Sequence, residues 1–160
     1  MPDRLIVDLG EDGRVSVGTV LDGELPSPGN PHELAWPLDG DALEDLRWYL
    51  EEYLLWPYAV YEDRGEEIQA ALAEWGRAVF LSVFGAGPAR EAYLRARMRG
   101  HPELVFRSKS SALLGLPWEL MADPDRPMPL ALDIAGVSRS LRLTEAAPET
   151  VRARAGGCGC

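Results

Sequence analysis

Histidine and cysteine, which many enzymes use as base and nucleophile, are scarce in this sequence. It has two histidines, His32 and His101, and two cysteines, Cys158 and Cys160, both in the terminal GGCGC. A cysteine nucleophile needs a base held within hydrogen-bond distance. No strand or helix is predicted near the two cysteines, and the histidines lie in a proline-rich loop and beside a proline. We therefore assign no catalytic residue to these 160 residues.

The patterns of metal and nucleotide sites are also missing. Two thiols are too few to complete a zinc site, and no Asp, Glu or His cluster has the spacing of metal ligands. The stretch FGAGPAR (84–90) has a Gly-x-Gly before a helix but lacks the third glycine and the lysine of phosphate-binding loops. We predict no metal and no cofactor. A metal- or redox-active pair of Cys158 and Cys160 stays open as an alternative, which would need ordered sulfurs near a basic side chain.

Long hydrophobic runs are absent as well. No segment approaches the roughly 18 apolar residues of a membrane helix, and the N-terminal MPDRLIVDLGEDG lacks the apolar region of a secretion signal. Hydrophobic residues make up 46% and charged residues 26% of the 160, a globular composition. We expect a cytoplasmic protein.

Positive charge is scarce in the first half of the chain. Residues 1–80 carry 18 acidic and 5 basic side chains, a net charge of −13, whereas residues 81–160 carry 8 acidic and 11 basic ones, a net charge of +3. An acidic chain without a basic stripe repels nucleic acid and anionic lipid, so we predict neither as a partner. The acidic half is most simply a solvated helix surface.

Alternating apolar residues predict the strands. The runs RLIVDL (4–9) and RVSVGTVL (14–21) surround Gly-Glu-Asp-Gly and are typical of a hairpin. Three later runs, 103–110, 129–134 and 136–143, also predict strands. The pattern leaves open whether the hairpin and the later strands share one sheet.

Helical spacing predicts three amphipathic helices. Asp41 and Glu44 form a capping-box pattern at the start of the first, and Pro57 ends it. Apolar residues at helical spacing predict the second from about 64 to 84, where Gly85 follows. The third, more basic helix has Pro88 in its first turn and ends before Gly100.

One region resembles a known family. The sequence LGLPWELMADPDRPMPLAL, followed by GVSRSL, is similar to the N-terminal part of CHAT domains, which are caspase-like domains of bacterial proteins that often carry helical repeats. Residues 36–85 resemble the helical segment that precedes this motif in many such proteins, so the resemblance covers about 36–145. The residues that carry the motif are Leu116, Pro117, Trp118, Glu119, Leu120, Ser138 and Arg139.

Elementary chemistry suggests what the motif does. Pro117 fixes its own φ and favours an extended Leu116. Trp118 supplies a large ring with one N–H that needs an acceptor. Glu119 lies between apolar neighbours and is costly to bury unless it is paired, so we expect an ion pair with Arg139. We therefore interpret these residues as a structural connection between helices and sheet.

The resemblance implies a function for a complete relative. Peptidases of this family cleave a protein with a Cys–His dyad and no cofactor; both residues follow core strands downstream of the Ser-Arg strand. His101 precedes the motif, and Cys158 and Cys160 follow no apolar strand, so none of them matches the dyad. The chain thus resembles the non-catalytic N-terminal part of such a peptidase.

We expect an α/β fold with an N-terminal β-hairpin, about three amphipathic helices and short strands that form an incomplete caspase-like sheet. Residues 1–145 would form one domain, and 146–160 a flexible tail. The expected partner is another protein or the remainder of a CHAT core. A truncated chain would leave a sheet edge open to dimerisation. The alternative is a free-standing interaction module that uses the acidic helical half (41–84), and exposed Trp48, Trp56 or Tyr58 would favour it.

Overall fold

A computed structural model describes residues 2–53, 62–126 and 128–142. They form an α/β fold in which a mixed sheet packs against helices. In chain order the elements are β1 (Arg4–Leu9), β2 (Arg14–Val20), β3 (His32–Glu33), α1 (Gly40–Trp48), a π-helical turn (Tyr49–Tyr53), α2 (Glu62–Phe84), α3 (Gly87–Arg99), β4 (Glu103–Ser108), α4 (Ser111–Leu114), a 3₁₀ turn (Trp118–Leu120), α5 (Leu130–Asp133) and β5 (Gly136–Leu141).

The five strands of the described ranges form one sheet in the order β3-β2-β1-β4-β5. The predicted hairpin is confirmed, because β1 and β2 pair antiparallel around the Gly-Glu-Asp-Gly turn. β1 also pairs with β4 in parallel, with Leu5 beside Leu104, and β4 pairs in parallel with β5. The hairpin and the later strands therefore belong to the same sheet, the point that the sequence pattern leaves open.

One face of this sheet forms the core. Alternate residues of β1, β2 and β4 are buried, and Val7, Val15 and Phe106 are inaccessible to solvent. Helices α2 and α3 contribute buried side chains to the same cluster, including Phe80 and Tyr93. The second and third predicted helices are confirmed. The second follows from apolar residues at helical spacing, and the third from Pro88 in its first turn and Gly100 after its end.

The opposite face of the sheet is polar and only partly buried. It carries Arg4 and Asp8 from β1 and Arg107 from β4. The loop through Pro28 approaches this face at Gly18, where an added Cβ would lie 2.8 Å from the Ser27 carbonyl oxygen. Parallel strands usually have both faces covered, so this half-exposed face, which we call the open face, is unusual for strands of this type.

The strand predicted at 129–134 is wrong, because Leu130–Asp133 forms the short helix α5. Leucine and alanine favour helix over strand when no neighbouring strand selects the extended form. Leu130 is buried in the core, and the Asp133 side chain is held by Arg97. The β5 prediction beside it is confirmed at Gly136–Leu141.

The predicted cap of the first helix is also wrong. Asp39, not Asp41, is extended and accepts a hydrogen bond from the Ala42 N–H at 2.8 Å, so the helix begins at Gly40. An aspartate at either position could cap a helix, and only the backbone geometry selects one. The predicted helix end at Pro57 and the predicted tail at 146–160 lie outside the described residues.

Candidate functional site

The motif residues form a tight corner between β4 and β5, which we call the Pro-Trp-Glu corner (residues 116–120). Ser110 caps α4 by accepting a hydrogen bond from the Leu113 N–H at 3.3 Å. Pro117 then has φ −78° and ψ 67°, and the chain enters the 3₁₀ turn at Trp118. Proline disfavours the helical form of Leu116 before it and has no N–H for a helical hydrogen bond, which keeps the chain from continuing α4 through this segment.

Trp118 anchors the corner in the core. Its side chain is 1% exposed and stacks on Phe106 of β4, with ring centroids 4.7 Å apart and planes 21° apart. The Trp36 ring contacts the Trp118 ring edge-on, with the ring centroids 5.1 Å apart. The indole N–H donates to the Leu113 carbonyl at 2.9 Å, so its one polar group is satisfied inside the corner.

The expected ion pair between Glu119 and Arg139 is present. Both guanidinium NH₂ groups donate to the carboxylate, with Arg139 Nη2 2.6 Å from Glu119 Oε2. Arg139 also donates from Nε to the Leu114 carbonyl at 2.6 Å and from Nη2 to the Leu116 carbonyl at 3.3 Å. The hydrogen bonds from Arg139 hold the pKa of Glu119 below its usual value. Arg139 of β5 therefore supplies hydrogen-bond donors to carbonyl groups at the end of α4 and just after it.

The remaining motif residues divide between core and surface. Leu116 and Leu120 are partly buried against the core. The corner is bound to α2 by a hydrogen bond from the Ala122 N–H to the Gly76 carbonyl at 3.0 Å. Ser138 lies on the open face, where its hydroxyl is 3.4 Å from Glu103 Oε1. Ser138 and Arg139 are neighbours in sequence but point to opposite faces of the sheet.

Both histidines donate to backbone carbonyls. His32 Nε2 lies 3.2 Å from the Ser82 oxygen, and His101 Nδ1 lies 2.8 Å from the Asp133 oxygen. A carbonyl can only accept, so the contacting ring nitrogen carries a proton in each case. Cys158 and Cys160 lie outside the described residues. Within the described ranges, no group of three or more His, Cys, Asp or Glu residues could hold a metal ion.

The basic residues of α3 are paired with acidic residues from other elements. Arg99 Nε lies 2.9 Å from Asp3, and Arg95 forms an ion pair with Glu24. Arg90 lies 3.9 Å from Asp125. The hydrogen bond from Arg99 holds the pKa of Asp3 below its usual value. The positive charge of these arginines of α3 is thus compensated by acidic residues of other parts of the fold.

Two buried polar pairs were not predicted from the sequence. The Tyr93 hydroxyl donates to Asp123 Oδ2 at 2.7 Å, and burial, followed by this hydrogen bond, raises the pKa of Tyr93. Arg97, with 4% of its side chain exposed, lies 2.6 Å from Asp133. The partners are 30 and 36 residues apart, so no local pattern could reveal them.

A crevice at the carboxyl ends of β1 and β4 is a further site that sequence reasoning missed. It has a volume of about 300 Å³. Asp8 and Arg107 line it and form a two-point ion pair, with distances of 2.8 and 3.0 Å. The charged residues on one face of each strand, Asp8 in β1 and Arg107 in β4, were the available signal, but the parallel pairing that joins them spans 99 residues.

Among the described residues, no helix is long and apolar enough to cross a membrane. No protein-family model, curated protein or solved structure matches the chain.

Proposed function

We propose that this chain is the non-catalytic N-terminal part of a CHAT-family, caspase-like protein, and that further strands extend its sheet beyond β5. The observation that carries the proposal is the position of β5. β5 is a parallel strand with β4 on one side and, in the described part of the chain, no strand on the other. An edge strand presents a row of backbone N–H and C=O groups with which a further strand can pair.

The Pro-Trp-Glu corner supports this role because it holds β5 in place. Arg139 is bound by a carboxylate and two carbonyls from the preceding segment, and Trp118 packs beneath on Phe106. A strand fixed in this way offers a regular row of backbone donors and acceptors to a further strand. The strands that would carry the histidine and cysteine in a complete relative are the proposed neighbours.

The same proposal places the protein in the cytoplasm with a protein partner. The alternative of an acidic interaction module has less support. Trp48 is half-buried, and the guanidinium of Arg64 lies 4.1 Å above its ring, so it is not an exposed anchor. Trp56 and Tyr58 lie outside the described residues.

The test begins with the natural gene beyond the codon for Cys160. We expect it to encode an apolar strand followed by a Gly-His-Gly-like stretch and, after another strand, a cysteine. That segment should cleave peptide substrates when it is produced together with this chain, and this chain alone should not. A gene without such a segment, or an assembled product without peptidase activity, would overturn the proposal.

A matched pair of variants tests the role of β5. Leu141 of β5 and Leu94 of α3 have similar exposure, 47% and 45%. Leu141→Asp places a charge at the proposed junction and should reduce the peptidase activity of the assembled product strongly. Leu94→Asp makes the same chemical change away from β5 and should leave the activity unchanged. Equal effects of the two variants would contradict docking at β5.

A further inference from the structure

The crevice at the carboxyl ends of β1 and β4 lies where the chain leaves the sheet in two directions. β1 and β4 are parallel neighbours. After β1 the chain turns to β2 on one side, and after β4 it continues to β5 on the other. In open α/β sheets, ligands bind outside the carboxyl ends of the parallel strands. The crevice is therefore placed by topology where a small-molecule site is expected.

One side of the crevice carries an excess of positive charge. Asp8 is shared between two guanidinium groups, because Arg107 binds it at two points and Arg142 Nη2 lies 3.3 Å from its Oδ1. Lys109, immediately after β4, lines the same crevice. In the part of the chain that the structure describes, the Lys109 side chain has no ion pair or hydrogen bond, and the Arg142 side chain has only the contact with Asp8.

The other side carries negative charge from the hairpin turn. Glu11 and Asp12 line the crevice opposite the ends of β4 and β5. Asp12 Oδ1 accepts the Arg14 N–H at 3.1 Å, which holds the turn. The Glu11 carboxylate has no partner among the described residues. Positive and negative groups thus face a common space from opposite sides.

We propose that this crevice binds a free α-amino acid. Its carboxylate would lie toward Lys109 and Arg142, and its ammonium group toward Glu11 and Asp12. The volume of about 300 Å³ is at the lower end of the range of ligand pockets, which favours a small ligand. A simple anion would leave the acidic side unpaired, and a simple cation the basic side. The proposal is independent of the CHAT resemblance and goes beyond the function proposed above.

The experiment compares an amino acid, which carries both a carboxylate and an ammonium group, with two ligands that each carry one of these groups. L-Alanine, acetate and ethylammonium are titrated into the ¹⁵N-labelled chain, and the amide shifts of Gly10, Gly13 and Lys109 are followed. We expect L-alanine to shift these signals and to bind at least about tenfold more tightly than acetate or ethylammonium, because each of these lacks one charged contact.

Two variants and two controls complete the test. Lys109→Gln and Glu11→Gln should each weaken binding of L-alanine by about tenfold. The controls are Arg47→Gln and Glu66→Gln on exposed positions of α1 and α2, and they should leave it unchanged. Both crevice positions are exposed, and unchanged amide shifts elsewhere would show that the variants fold.

Two results would overturn the proposal. The first is the absence of shifts with L-alanine at about 10 mM, where a millimolar site would be filled. The second is acetate binding that equals that of L-alanine and is insensitive to Glu11→Gln, which would make the crevice a simple anion site. Neither result would bear on peptidase activity or on the docking at β5.

Discussion

The two faces of the sheet are made from the same strands but differ in burial, in polarity and in the contacts that their side chains make. On the core face, Phe106 and Trp118 stack without solvent contact. On the open face, alternate residues of the same strands form half-exposed ion pairs such as Arg4–Glu103 and Asp8–Arg107. The core face therefore determines the stability of the fold, whereas changes on the open face should cost little and affect what the protein binds.

The largest expected effect is at Trp118. Trp118→Ala removes a ring that is fully buried between Phe106 and Trp36, so we expect a loss of about 3–5 kcal/mol in the free energy of unfolding. Ile6→Ala, on the open face, should cost about 1 kcal/mol because Ile6 is only partly buried. Urea unfolding measures both. Equal losses would show that the open face is as well packed as the core.

Two arginines with equally exposed side chains allow a closer comparison. Arg139 on the core face and Arg107 on the open face are both 34% exposed. Arg139→Gln removes the partner of Glu119 and the donors to two carbonyls, and should cost about 1–3 kcal/mol. Arg107→Gln removes an ion pair with Asp8, and should cost less than about 1 kcal/mol. The reverse order in chemical denaturation would contradict the role given to the corner.

The pH dependence of the corner follows from the lowered pKa of Glu119. The pKa of the Glu119 carboxyl is lower in the folded state than its ordinary value of 4.5. The ionised carboxylate therefore stabilises the fold at pH values above 4.5, and this stabilisation is lost as the pH falls through the lowered pKa. Glu119→Gln should therefore lower Tm at pH 7, and its difference from the unmodified chain should shrink in acid. Glu66→Gln, on an exposed part of α2, serves as the control and should show no such trend. A difference that is constant with pH would mean that the ion pair contributes nothing.

The smallest expected effect on the free energy of unfolding is at Leu141, on the edge strand β5. Leu141→Asp and Leu94→Asp change half-exposed positions, and each should alter the free energy of unfolding by about 0.5 kcal/mol or less. Thermal unfolding of the two variants is the measurement. A large loss in Leu141→Asp alone would show that Leu141 supports the core, and its effect on assembly would then have to be attributed to unfolding.

Much of the fold could be predicted because its signals are local. The hairpin of β1 and β2 follows from alternation around a glycine-containing turn, α2 follows from apolar residues at helical spacing, and α3 follows from Pro88 at its start and Gly100 after its end. The ion pair between Glu119 and Arg139 was expected because a carboxylate among apolar neighbours needs a partner.

What could not be predicted depends on distant parts of the chain. The parallel pairing of β1 with β4 brings Asp8 and Arg107 together across 99 residues, and the crevice exists only because of that pairing. Residues 130–133 form a helix in which Leu130 packs in the core and Asp133 binds Arg97, and neither contact can be read from the segment itself. The choice of Asp39 over Asp41 as a cap is likewise decided by backbone geometry.

The most direct test of the account is hydrogen exchange at β5. Exchange of the amides of residues 136–141 is measured in this chain alone and after addition of the segment encoded beyond Cys160. The account predicts that amides of β5 become protected on addition, because a new strand pairs with the outer edge of β5, while those of α3 do not change. Unchanged exchange along β5 in an assembled complex would contradict the central claim that the sheet continues across this strand.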